Sequence, residues 1–211
     1  MKIEWTPPEP RPGLAGAWDK FIGPGATNAE LWLELLGALG LTAVLTLINF
    51  TQRSELNWTT WQWLVFLLFA FDLSGGIITN ATSGAKRWYH RPEQRFIDHV
   101  GFVALHGIHL AVVAWLFRDG DWLYFAIYYG WLLGGTAVIL RTPLYLQRPL
   151  ALLLYSGTLL LNSSLILPTA GLGWFIPFFF LKLLVAHLLL EAPFQPESIS
   201  NRQAHHSGQR R

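Results

Sequence analysis

The sequence predicts an all-α integral membrane protein, a bundle of six transmembrane helices with both termini cytoplasmic. Three observations carry this expectation. Of the 211 residues 52% are hydrophobic and only 13% charged, about half the charged share of an average globular chain, and the mean hydropathy is +0.34. Apolar runs long enough to cross about 30 Å of hydrocarbon fall at residues 31–49, 61–80, 97–117, 122–140, 150–167 and 172–190. Lys and Arg lie on one side: with six spans, twelve of them share a side with the termini and only Arg53 and Arg118 fall opposite, which places the termini in the cytoplasm of an inner membrane.

Residues 1–30, opening MKIEWTPPEPRPG, form a cytoplasmic segment with an interfacial turn around Trp18 and Phe21. They hold no apolar core of the length a signal sequence needs, so this segment is expected to stay attached. The transmembrane domain covers residues 31–191. Its first span carries Glu34 at the cytoplasmic end. The second sets Asp72, Gly76, Thr79 and Asn80 within about a quarter-turn of helix surface, with Gly75 beside them. Small residues in that stripe allow a neighbouring helix to approach closely.

The third span places Asp98, His99, His106 and His109 on one side, since at about 100° per residue His106 lies about 20° from His99 and His109 about 80°. The fourth and fifth spans carry no candidate groups. The sixth contributes Lys182, which can neutralise Asp72 near mid-membrane, and His187 with Glu191 at i, i+4. Trp58, Trp61, Trp63, Trp115, Trp122 and Trp174 all fall at outer ends and are expected to form an interfacial belt. The tail at 192–211 is polar, rich in Ser, Gln and His, and expected to be disordered.

An ionisable side chain inside a span costs about 2.5 kcal/mol or more, so such groups face the bundle interior and find partners. Alternating directions of the spans bring Asp98, His99, Asn80, His187 and Glu191 to the inner leaflet, with His106 about 13 Å deep and Asp72, His109 and Lys182 near the middle. This grouping predicts one cavity: His99, His106, His109 and His187 as ligands of zinc or iron, and Asp72, Asp98 and Glu191 as catalytic carboxylates. In the loop NATSGAKRWYHRPEQRF, Asn80, Lys86, Arg87, His90 and Arg91 are the expected grip on an anionic lipid or isoprenoid substrate. The plainer account is that the loop is basic by topology alone and that the buried imidazoles only bond neighbouring helices.

The chain has no cysteine, which removes thiolate nucleophiles, thiolate zinc sites and cysteine-ligated iron–sulfur clusters. No Walker loop, GxSxG elbow or dinucleotide fingerprint is present. The net charge of +2 resides in the loops, so nothing indicates nucleic acid as a partner. Membrane lipids and a lipid-like small molecule are the expected partners. The first functional expectation is therefore a metal-dependent membrane enzyme acting on a lipid at the cytoplasmic leaflet. A proton-coupled transporter or channel built on Asp72, Lys182 and the histidines is the alternative, followed by a bis-histidine haem subunit with His106 or His109 opposite His187.

Overall fold

The computed structural model describes residues 1–196. In chain order the elements are strand β1 (Lys2–Ile3), helices α1 (Gly13–Ile22), α2 (Asn28–Thr51), α3 (Arg53–Leu56), α4 (Thr60–Ala81) and α5 (Ser83–Tyr89). Then come α6 (Phe96–Leu105), α7 (Gly107–Leu116), α8 (Trp122–Arg141), α9 (Leu144–Leu160), α10 (Phe175–Phe180) and strand β2 (Phe194–Gln195). Helix α9 runs on into a π-helical turn, Leu161–Leu165, and α10 into a π-helical stretch, Leu181–His187.

Reciprocal caps fix where the first two long helices begin. At α2 the Thr27 hydroxyl accepts from the Glu30 amide at 3.2 Å while Glu30 accepts from the Thr27 amide at 2.7 Å. Thr59 and Gln62 repeat the arrangement at α4. Each pair satisfies two amides that a helix start leaves without a partner.

Among the described residues five helices are long and apolar enough to cross a membrane: Asn28–Thr51, Thr60–Ala81, Phe96–Leu116, Trp122–Arg141 and Leu144–Leu165. They coincide with the first five predicted spans. The third is bent at its middle, where the chain leaves α6 at His106 and re-enters helix at Gly107. A Cβ at Gly107 would collide with the Tyr129 ring, so the glycine lets α7 and α8 approach closely.

The sixth predicted span differs. Its helix, Phe175–His187, has 13 residues and reaches about 20 Å at 1.5 Å per residue, short of the roughly 30 Å of a bilayer core. It is enclosed by protein: Phe175, Ile176, Phe179, Phe180, Leu183 and Leu184 are all buried. A segment apolar on every side suits a core helix as well as a lipid-facing one, which is why the run at 172–190 reads as a span in sequence. Around it pack Phe66, Phe69 and Leu73 of α4, Leu110 and Val113 of α7, and Tyr128, Leu132 and Ile139 of α8. By contrast α2 is peripheral, exposing Leu33, Leu36 and Leu47.

The two ends of the bundle have different chemistry. At one end Trp58 packs against Trp63 at 5.1 Å and Phe117 at 5.3 Å between ring centroids, and Trp174 reaches Phe66 at 5.9 Å. Trp61, Trp115 and Trp122 are exposed. Half of the predicted belt thus faces outward and half forms an internal aromatic cluster. At the other, basic end β1 pairs antiparallel with β2, and the Glu4 amide donates to the Pro193 carbonyl at 3.1 Å. The tail expected to be disordered from 192 therefore begins with a paired strand, and the rest of it from 197 lies outside the described residues. The interfacial turn expected near Trp18 and Phe21 is helix α1, with both rings exposed, tied down by the Tyr89 hydroxyl donating to the Phe21 carbonyl at 3.1 Å.

Enclosure of the short helix makes a testable difference. Phe175→Ala should lower stability by about 3–5 kcal/mol by opening a cavity, whereas Leu36→Ala on the outward face of α2 should change it little in detergent. Thermal unfolding of the two purified variants compares them; equal losses would contradict the enclosed position of Phe175.

Candidate functional site

Three helices meet at an ion pair near the middle of the bundle. Lys182 Nζ donates to Asp72 Oδ2 at 2.7 Å, and His109 Nε2 donates to the same oxygen at 3.1 Å. The Lys182 side chain is 5% exposed and that of Asp72 33%, so the cation is sealed while the carboxylate keeps an open side. Sequence spacing builds this contact: Gly76 lies one turn beyond Asp72 on α4, and a Cβ there would collide with the Lys182 chain. The Lys182 carbonyl also accepts from Asn80 Nδ2 at 3.5 Å. His109 Nδ1 points to the His106 carbonyl at 3.2 Å. Both ring nitrogens of His109 therefore face acceptors, and both bonds form together only in the doubly protonated ring.

A second cluster lies toward the basic end. His99 Nδ1 and His187 Nε2 are 3.5 Å apart, and His90 Nε2 donates to the His187 carbonyl at 2.9 Å. The His90 and His99 rings are 4.9 Å apart between centroids. Burial, with Lys86 and His99 adding, pulls the His90 imidazole down to about 3, so His90 is neutral and its proton sits on the donating Nε2. His187 Nδ1 is buried with no hydrogen-bond partner.

Between the clusters runs a stack of rings. His106, at the bend of the third span, donates from Nδ1 to the Phe102 carbonyl at 2.8 Å. Its ring lies 5.3 Å from His109 at an interplanar angle of 11° and 4.7 Å from Phe102. Phe102 in turn stacks on His187 at 3.9 Å. The order from mid-bundle to basic end is Lys182, Asp72, His109, His106, Phe102, His187, His99, His90.

The loop after α4 serves the end of the short helix. Lys86 Nζ donates to the Leu189 carbonyl at 2.6 Å and also to that of Ala186, while His90 takes the His187 carbonyl. The last carbonyls of any helix lack intrahelical donors, and a cation is favoured there. Burial pulls the Lys86 ammonium down to about 8, with the Glu191 charge opposing the shift.

The structure brings together only part of the predicted set. Asp72, His106 and His109 share one cluster, and His99 and His187 share the next; Asn80 borders the first. Asp98 and Glu191 stand apart. Asp98 accepts from the Arg95 amide at 2.8 Å as the cap of α6, a use that its position in the first turn favours. Glu191 follows the short helix and is exposed. His90, assigned to the substrate loop by sequence, joins the imidazole cluster because the end of α5 folds it inward.

The remaining loop cations are also engaged by the protein. Arg87 is buried, donating to the Gly25 carbonyl at 3.2 Å, with Nε and Nη1 lacking partners. Arg91 lies 3.8 Å over the Trp88 ring. Sequence reasoning paired Lys182 with Asp72 without assigning it to the site; a lone lysine in an apolar run was the available signal. Tyr89, 5.5 Å from His187 between centroids, and Phe102 carried no such signal.

Among the described residues no group of three or more His, Asp or Glu side chains is arranged to hold a metal ion. No family of known proteins, no curated protein and no solved structure matches the chain. The fold and site thus define a helical protein with five helices able to cross a membrane, carrying a line of ionisable groups through its interior.

The ion pair can be tested by a double-mutant cycle. Asp72→Asn leaves Lys182 buried without a counter-charge and should cost about 3–5 kcal/mol. Adding Lys182→Met should recover most of that loss. Additive losses in thermal unfolding would show that the two side chains do not depend on one another.

Proposed function

We propose that this is an integral inner-membrane protein, with its termini cytoplasmic, that accepts and relays protons along the line from His90 to Asp72 as a proton-coupled transporter or channel. The observation that carries this reading is the shared Asp72 oxygen: Lys182 at 2.7 Å and His109 at 3.1 Å both donate to it. Lys182 alone neutralises Asp72. His109 thus meets the ion pair through a hydrogen-bonded oxygen, and a ring that can both accept and donate a proton at this position suits coupling of proton movement to that of an ion or solute.

The chemistry of the other residues supports the relay. Neutral imidazole both accepts and donates a proton, and the His99–His187 contact of 3.5 Å is short enough for transfer between rings. His187 Nδ1, buried without a partner, is an open position for the next transfer inward. Phe102 separates this part from His106, so passage between the clusters depends on movement of the Phe102 and His187 rings. Asp98 is taken by the start of its own helix and Glu191 is exposed, which favours proton transfer over a catalytic carboxylate–metal arrangement.

Protein reconstituted into vesicles enclosing a pH-sensitive dye, under an imposed potential, should pass protons faster than empty vesicles. His109→Gln and Asp72→Asn should each reduce that flux at least about ten-fold, while Glu55→Gln at the tryptophan end should leave it unchanged. Flux equal to that of empty vesicles, or full flux in His109→Gln, would overturn the reading.

A further inference from the structure

A cavity of about 620 Å³ opens at the basic end, between the starts of α5 and α9 and the chain that follows the short helix. It is separate from the imidazole line, and its polar wall is formed by Ser83, Lys86, Tyr145, Gln147, Arg148 and Glu191. Two cations face one carboxylate, so the wall carries an excess of one positive charge. Lys86 is only 2% exposed to its surroundings; its two bonds to carbonyls leave the third N–H of the ammonium unused. Arg148, on the rim, is exposed. Helix α9, 17 residues long, begins beside them at Leu144, and Pro143 before it provides no side-chain cap, which leaves the positive end of its dipole open as well.

The rest of the lining is apolar. Leu144 and Tyr145 are largely exposed on the outer surface, and Leu189 and Leu190 line the inner side. The cavity therefore sets cationic groups beside exposed apolar side chains at the start of α9. A small hydrophilic anion would use only the first of these features. A phosphate joined to acyl chains uses both, with its oxygens on the guanidinium and ammonium and its chains along the outside of α9.

We propose that this cavity binds the phosphate group of an anionic phospholipid, with Arg148 and Lys86 as its ligands. Because the same Lys86 ammonium holds the Ala186 and Leu189 carbonyls, an occupant would also brace the end of the helix that carries His187. The site stands independently of the proton relay.

The test is lipid retention by the full-length protein in mild detergent, read by native mass spectrometry after addition of equimolar phosphatidylglycerol and phosphatidylcholine. Phosphatidylglycerol should be retained at least about ten-fold better, because phosphatidylcholine carries a choline cation beside the same phosphate and the wall has an excess positive charge. Arg148→Gln should remove most of that preference, and Arg95→Gln, another exposed loop cation, should not. Lys86→Gln can disturb the helix end, so the exposed Arg148 is the deciding position. Calorimetric titration with inorganic phosphate separates the source: Arg148-dependent binding of phosphate as tight as that of the lipid identifies a free phosphate ligand for the same anion site. Equal retention of the two lipids, or unchanged phosphatidylglycerol retention in Arg148→Gln, overturns the proposal.

Discussion

The interior arrangement depends on one electrostatic constraint: Lys182 is sealed inside an apolar bundle and must sit against a negative charge. A lone ammonium in such surroundings costs several kcal/mol, so Asp72 is held opposite it at 2.7 Å. That requirement fixes the depth of the short helix relative to α4, and Gly76 supplies the space for the lysine chain. His109 on α7 joins through the same oxygen, which ties a third helix to the pair. Unlike apolar contacts, which tolerate sliding between helices, this shared carboxylate specifies both register and rotation.

A short helix enclosed in protein poses a second problem, that of its carbonyls. The five long apolar helices end near the surface, whereas the helix Phe175–His187 ends against the buried Lys86 and the half-buried His90. Its last carbonyls are met by Lys86 and His90 from the preceding loop. The basic character of that loop thus has a folding role in addition to any topological one. The π-helical stretch Leu181–His187 bears on the same region. Its wider turn changes the angular spacing of side chains, and it carries both Lys182 toward Asp72 and His187 toward His99.

The two clusters are linked by rings rather than by a continuous chain of hydrogen bonds. Phe102 occupies the step between His106 and His187, within 4.7 Å and 3.9 Å of their centroids. An apolar ring there keeps the mid-bundle charges apart from the end cluster at rest. On the proton reading, this is the position where passage is controlled, next to the break between α6 and α7 at His106 and Gly107.

The sequence by itself determined the chemical types available: apolar runs that include all five of the long helices, a narrow polar stripe beside small residues on the second of them, and ionisable groups at matching depths on separate helices. Helical periodicity reveals such things because it is a local property. Tertiary structure alone decided which groups meet. It enclosed the sixth helix, since apolar surface is equally stable against lipid and against protein and leaves no mark in composition. It turned His90 inward through the fold of α5, left Asp98 to its own helix start and Glu191 to the exterior, and divided one expected cavity into two clusters with Phe102 between them. Helix rotation, tilt and the bend at His106 set these outcomes, and each depends on neighbours distant in the chain.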